Sequence, residues 1–292
     1  MTAGSEIREF LTSRRGRITP EQAGLLSYGT RRRVSGMRRE EVAMLAGISV
    51  EYYTQLERGT VSGVSEDVLD AVSRALQLDE VERGHLIDLV RAAKQRPAKR
   101  RTSPSHVRPG VQQLLDSMTD AAAFVRNSRL DILSANRLGY ALYSEALSVP
   151  DRPTNLARFV FLDPRARDFY VDWGGIADAA AGSLRAAAGG DPYDRDLTTL
   201  VGELSMRSND FRERWAAHDV RQYQAGTQRF RHSLVGELTL AYEALQLAAD
   251  LDQILVAYTA EPDSASQKAL HRLADWAGER SSRTESSSNE GG

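Results

Sequence analysis

With 292 residues, 41% of them apolar and 27% charged, the chain is long enough for two domains that each bury a core, and no apolar run reaches the roughly 18 to 20 residues that span a bilayer. The absence of cysteine excludes disulfides, thiolate metal sites and cysteine nucleophiles, and the first residues, MTAGSEIREF, lack the basic-then-apolar order of an export signal, so a soluble cytoplasmic protein is expected. The net charge of −2 argues against a nucleic-acid partner only as an average: residues 1–108 hold 19 basic and 14 acidic side chains, net +5, and residues 109–292 hold 19 and 26, net −7.

The first third reads as short helices. Ser5 opens a segment with Ile7, Phe10 and Leu11 on one face, and Thr19-Pro20-Glu21-Gln22 is a capping box with proline at N1. A run over 37–46 carries Val42, Leu45 and Ala46 at helical spacing and ends at Gly47; a second run over 49–58 ends at Gly59. Ser65 caps a third, with Val68, Leu69, Val72 and Leu76 inward, and Asp79 with Glu82 caps the helix that carries Leu86, Leu89 and Val90. Residues 91–108, RAAKQRPAKRRTSPSHVR, have seven basic and no acidic side chains and lose apolar periodicity, the composition of a linker. The expected division is a helical domain over 1–95, a basic linker over 96–108, a second domain over 109–279 and a disordered serine-rich tail over 280–292.

Beyond the linker the periods alternate. Segments 122–125 and 131–135 have strand length, 136–147 looks helical, and 154–218 reads as helices broken at Asp163-Pro164 and at Gly189-Gly190-Asp191-Pro192. LVGELTLAYEAL, 234–245, sets Leu234, Leu238, Leu240 and Tyr242 on one face at period two, and 253–260 is its partner across AADLD. The fold class is therefore multidomain, an all-α bundle followed by an α+β domain with an antiparallel sheet and covering helices.

The most specific signal is REEVAMLAGISVEYYTQLER, 39–58. Ala43 is small where two helices must cross, Gly47 supplies the positive φ of a tight turn, and Val42, Ile48, Tyr53 and Leu56 make an apolar seam, the pattern of a helix-turn-helix. Only the major groove admits a helix and displays a base-specific code, so the outward residues of the second helix are expected to face double-stranded DNA: Ser49, Val50 and Glu51, then Thr54, Gln55 and Arg58. Gln55 can pair with adenine, Glu51 can accept from a cytosine amino group, Val50 can meet a thymine methyl, and Ser49 at the N-cap leaves amides for a phosphate. A merely solvated helix face is the competing reading for Glu51 and Arg58. Arg31, Arg32, Arg33, Arg38 and Arg39 cluster just upstream, where phosphates are natural partners and pairing with Glu40 and Glu41 is the alternative. Tyr52 and Tyr53 are read as packing.

No enzyme signature accompanies this motif. The five histidines (His85, His106, His218, His232 and His271) lack ligand spacing, DPYDRD at 191–196 is no calcium loop, and Gly174-Gly175 and Gly189-Gly190 lack the flanks of a phosphate-binding loop. No metal, cofactor or catalytic residue is expected.

RRVSGMRREEVAMLAGISVEYYTQLERG resembles the Xre-type helix-turn-helix of actinobacterial transcriptional regulators, and RLDILSANRLGYAL, NLARFVFLDPRARDFYVDW, LVGELSMRSNDFRERWAAHDV and LVGELTLAYEAL resemble the MmyB-like ligand-binding domain that follows it in that group. The likeness covers about residues 5–275, with Ser35 and Ser233 standing where the pattern has proline. It implies a PAS-like second domain, a sheet with helices over one face, enclosing a small lipophilic or acyl ligand. On that basis Tyr140, Phe159, Trp173, Trp215 and Tyr258 are candidate walls of the pocket, with Asn136 and His232 polar. The expectation is a ligand-responsive repressor at the nucleoid that binds an inverted repeat as a homodimer, with no membrane partner; a second domain that only dimerises is the alternative.

Overall fold

The computed structural model describes residues 3–25, 36–61, 63–94, 106–148, 154–191, 193–217 and 224–289, and the chain divides into two compact units. The first comprises residues 1–100 together with 181–203 and 212–222; the second comprises 101–180, 204–211 and 223–292.

The first unit is helical. α1 (Ala3–Arg17), α2 (Arg39–Ala46), α3 (Val50–Glu57), α4 (Glu66–Ala75) and α5 (Glu80–Lys94) enclose a core of Ile7, Phe10, Leu11, Met37, Leu56, Leu86 and their neighbours. The expected caps form. Ser49 Oγ accepts from the Tyr52 amide at 3.1 Å, Ser65 Oγ from Val68 at 3.3 Å, and Asp79 and Glu82 bond one another's amides reciprocally. Thr19 and Gln22 also make the reciprocal pair, but the segment stays a turn rather than a helix. Leu45, expected inward, is 38% exposed.

Within the second unit lies a five-stranded antiparallel sheet ordered β2-β1-β5-β4-β3, from β1 (Ala122–Asn127), β2 (Ile132–Ala135), β3 (Ala225–His232), β4 (Gly236–Gln246) and β5 (Gln253–Thr259). β4 pairs with β5 as expected, in the register Tyr242 opposite Tyr258. β3 was not anticipated: of its eight residues only Phe230 and His232 are buried, too few for a period to show, and it forms an edge whose partner is β4. One face of the sheet carries the larger core, where Phe124, Phe230, Leu238, Leu240, Val256 and Tyr258 meet helices α7 (Arg137–Leu142), α8 (Leu156–Leu162), α9 (Arg165–Phe169) and α13 (Ala265–Asn289). On the opposite face α6 (Pro109–Ser117), unforeseen in the sequence, buries Val111 and Leu115 against Ala123, Val125 and Leu255. Helices therefore cover one face as the resemblance implies, and part of the other.

The helical stretch between strands β2 and β3 breaks where expected, after Leu162 and after Gly190, and continues through α10 (Trp173–Gly190), α11 (Arg195–Arg207) and α12 (Asn209–Ala216). The serine-rich end, expected to be disordered from residue 280, is helical to Asn289. A helix already nucleated and anchored by Leu270 and Leu273 adds a hydrogen bond with each residue and needs no apolar side chain to continue.

Candidate nucleic-acid interface and ligand core

The geometry of α3 follows from three local choices. Ala43 is fully buried at the α2–α3 crossing, Gly47 takes φ +66° and ends α2, and the Ile48 amide reaches back to the Ala43 carbonyl at 3.0 Å. A side chain at Gly47 would be strained in that left-handed conformation, and Ser49 starts α3 two residues later. Val42, Tyr53 and Leu56 are buried and Ile48 packs partly against them, so the seam is as expected. Tyr52 also packs partly on this core.

What the seam leaves outside is a row along α3. Ser49, Glu51, Gln55 and Arg58 are exposed, and Val50 and Thr54 half-buried. Upstream, Arg38 and Arg39 are exposed, whereas Arg31, Arg32 and Arg33 lie outside the described residues. Arg39 differs from Arg38 in being engaged: its Nε donates to Glu57 Oε2 at 2.5 Å.

Glu57 was not singled out in the sequence, and it organises this region. Buried at the end of α3, it accepts from Arg39 on one oxygen and from Arg15 (2.9 Å) and Thr12 (2.8 Å) on the other, while Arg15 also donates to the Met37 carbonyl. Burial alone would raise its carboxyl, but the hydrogen bonds from Arg39, Arg15 and Thr12 outweigh that and hold it below its ordinary range. Burial, and then the charge of Glu57, push the Tyr53 phenol above its usual value.

The sheet unit brings together some of the expected pocket residues and separates others. Phe159 and Tyr258 are buried in the main core, and Trp173 packs partly against it and donates its indole N–H to the Val160 carbonyl at 2.9 Å. Tyr140 is 47% exposed, and Trp215 belongs to the helical unit, so neither is a wall of this core. The two polar candidates have their polar atoms engaged within the fold. Asn136 caps α7: its Oδ1 accepts from the Ala123 and Gly139 amides and its Nδ2 donates to the Met118 and Ala121 carbonyls, the full capacity of the side chain. Gly139 is what lets α7 approach β1, since a Cβ there would stand 2.3 Å from the Ala123 oxygen. His232 has both ring nitrogens occupied, Nε2 3.1 Å from the Ala141 carbonyl and Nδ1 accepting from the Leu234 amide at 3.2 Å, and burial lowers its pKa so that it sits neutral with the proton on Nε2. At Ser233 the amide donates to Glu145 at 3.3 Å, a bond that proline could not make.

The core's own polar centre is a set of tyrosines that the sequence did not reveal as a group. Tyr258 donates to Gln228 at 3.0 Å and therefore accepts from Tyr143, also at 3.0 Å, and Tyr170 bonds Tyr143 in turn. Burial pushes the Tyr258 phenol up to about 12 and the other two higher. Facing them from β1 is Arg126, whose pKa burial lowers and the neighbouring Tyr258 and Tyr143 raise, with the Asn127 carbonyl 3.2 Å away as its hydrogen-bond acceptor. Among the described residues no group of three or more His, Asp or Glu side chains is placed to hold a metal ion, and no helix is long and apolar enough to cross a membrane.

A bundle with an exposed row on the second helix of a tight-turn pair, followed by an antiparallel sheet with a buried polar centre, defines a two-part regulator of the DNA-binding class. The family model for the MmyB-like transcription regulator ligand binding domain matches residues 107–273, and that for a helix-turn-helix domain matches residues 29–86. The chain belongs to the MmyB-like family, as a transcription regulator with a helix-turn-helix and an MmyB-like ligand-binding domain. No curated protein matches it.

Proposed function

We propose that the protein is a ligand-responsive repressor that binds an inverted-repeat operator as a homodimer, with α3 in the major groove. The observation that carries this reading is the row of Ser49, Glu51, Gln55 and Arg58 left exposed by the packing of Tyr53 and Leu56. A two-fold dimer then requires half-sites about 34 Å or a multiple apart. The ligand is a small lipophilic or acyl-type molecule whose acidic head meets Arg126 and the phenols of Tyr143 and Tyr258, and whose body replaces contacts among Phe159, Trp173 and their neighbours. The reading assigns no chemical reaction to the chain.

A second domain that only dimerises is the other reading, and one observation favours it: Asn136 and His232 spend their polar atoms within the fold. Native mass spectrometry of purified protein separates the two. A retained small molecule, lost in Arg126→Met, supports the sensor; no retained molecule, with operator affinity indifferent to a cell extract, supports the platform. Selection from random duplexes tests the first part, and an enriched motif without two-fold symmetry would overturn the inverted repeat.

A further inference from the structure

The helical unit holds a cavity of its own, about 70 Å³ in volume. Glu6 of α1, Leu197 and Val201 of α11, Ala188 near the end of α10 and Trp215 of α12 line it, with Asp191 and Asp194 from the residues between α10 and α11, and all of them belong to the first unit. Glu6 is the buried charge of this lining, its side chain 4% exposed. Its Oε2 accepts from Arg185 Nη1 at 2.9 Å; Arg185 also donates to the Trp215 carbonyl and lies 3.7 Å from the centroid of the Trp215 indole. Glu6 Oε1 is buried and has no hydrogen-bond partner. Other polar groups of the lining are engaged elsewhere: Thr198 Oγ1 donates to the Asp194 carbonyl at 2.8 Å, Asp194 Oδ1 accepts from the Asp196 and Leu197 amides, and Asp191 Oδ1 accepts from the Tyr193 amide.

A buried carboxylate oxygen without a donor is more costly than a neutral group so placed, and the occupant that satisfies it brings an N–H or O–H to that point. Charge chooses between the two. The lining holds three carboxylates and, among the described residues, no Lys or Arg, while Arg185 beside it offsets one of them, so a cationic head is favoured over a neutral or anionic one. The walls narrow the cation further. A divalent metal ion takes about six or more oxygens, and among the described residues no group of three His, Asp or Glu side chains is placed to hold one. Ala188, Leu197, Val201 and Trp215 present apolar surface instead, which suits a hydrocarbon stem. On the scale where about 150 Å³ holds benzene, 70 Å³ holds about three carbons.

We propose that this cavity is a binding site for a short primary alkylammonium, its head on Glu6 Oε1 and its stem against Leu197, Val201 and Trp215. The site shares no residue with the tyrosine-lined core of the second unit, so it stands or falls apart from the ligand-responsive reading. The chain has three tryptophans, hence three indole N–H resonances, and Trp215→Phe identifies the one that reports on the cavity. In full-length protein at constant ionic strength, n-propylammonium should shift that resonance saturably with a dissociation constant on the order of 1 mM, within the ceiling for about four non-hydrogen atoms. The neutral isostere 1-propanol should need at least about tenfold more. Asp191→Asn, at an exposed rim position, should weaken n-propylammonium by about two- to fivefold, and Ala188→Leu, which fills the cavity, should abolish the shift. Glu6→Gln should bring the amine and the alcohol to the same affinity; should that chain not fold because Arg185 is left unpaired, Glu6→Gln with Arg185→Met is read in its place. An unshifted Trp215 resonance, an equal response to 1-propanol in the wild type, or a response that survives Ala188→Leu overturns the site.

Discussion

Arg39 Nε stands 2.5 Å from Glu57 Oε2, joining the first residue of α2 to the last of α3. With Arg15 and Thr12 on the other oxygen, one carboxylate fixes the end of α3 to α1 and α2 together. Loss of that charge leaves two guanidinium groups, Arg15 largely buried, without the anion that balances them. Glu57→Gln is expected to cost about 2–4 kcal/mol at neutral pH, less than a fully buried pair because Arg39 is half-exposed. The carboxyl's folded pKa is depressed, so its stabilisation is present above the unfolded value and lost as pH falls through the folded value. Urea unfolding from pH 7 to pH 3 should therefore show wild type and Glu57→Gln converging in acid; a constant gap would exclude the charge as the cause.

Arg38 and Arg39 should separate in their salt dependence. Arg38 is exposed and its amide, not its guanidinium, bonds Glu41, so Arg38→Ala should weaken DNA binding evenly across sequences and reduce the salt slope by about 1. Arg39→Ala should also lower the unfolding midpoint, because its guanidinium holds Glu57. Binding titrations between 50 and 200 mM salt, as an order-of-magnitude range, beside melting curves make the comparison. Equal melting temperatures for the two variants would contradict the division of labour.

Gln55 lies one turn into α3 on the exposed row, and the proposed docking of α3 in a major groove would bring its amide to a base edge. Gln55→Ala should relax base preference at one position of each half-site, at a cost of about 1–3 kcal/mol on the preferred sequence, and leave stability unchanged. Selection from random duplexes with wild type and variant is the measurement, and identical motifs would remove Gln55 from the readers.

The α2–α3 pair was legible because its constraints are local: Ala43, Gly47 and Ser49 are set by a crossing, a positive φ and a cap within seven residues. Glu57 was not, since its partner Arg15 is 42 residues away and no spacing rule links them. β3 escaped because an edge strand with two inward residues has no apolar period. Trp215 was expected beside the sheet because aromatic content marks a core but not which one, and it groups with the helical unit. Asn136 looked like a polar anchor in an apolar setting, and its four bonds are the requirements of a helix start beside β1.

Those four bonds set the next expectation. Asn136→Ala strands the Ala123 and Gly139 amides and the Met118 and Ala121 carbonyls, of which the buried ones cannot turn to water. At about 1–3 kcal/mol for each buried group left unsatisfied, the variant should lose about 2–5 kcal/mol of stability. Chemical denaturation checks the loss. If stability were retained while a co-purifying molecule disappeared, the side chain would be a ligand contact after all.

His232 gives the sheet unit its own pH dependence. Burial lowers its folded pKa below the usual value of 6.5, with only partial opposition from the Ala141 carbonyl and the Glu145 charge. Above pH 6.5 the ring is neutral in both states and the fold loses nothing. As pH falls below 6.5 the unfolded chain takes up a proton that the folded chain refuses, so stability drops until the folded value is reached. His232→Gln keeps a donor for the Ala141 carbonyl and removes the titration. Urea unfolding followed through the tryptophans should show wild type weakening between pH 6.5 and 5 relative to the glutamine variant. Parallel curves over that interval would mean that His232 is solvated enough to charge in place, and that the bonds to Ala141 and Leu234 do not hold it neutral.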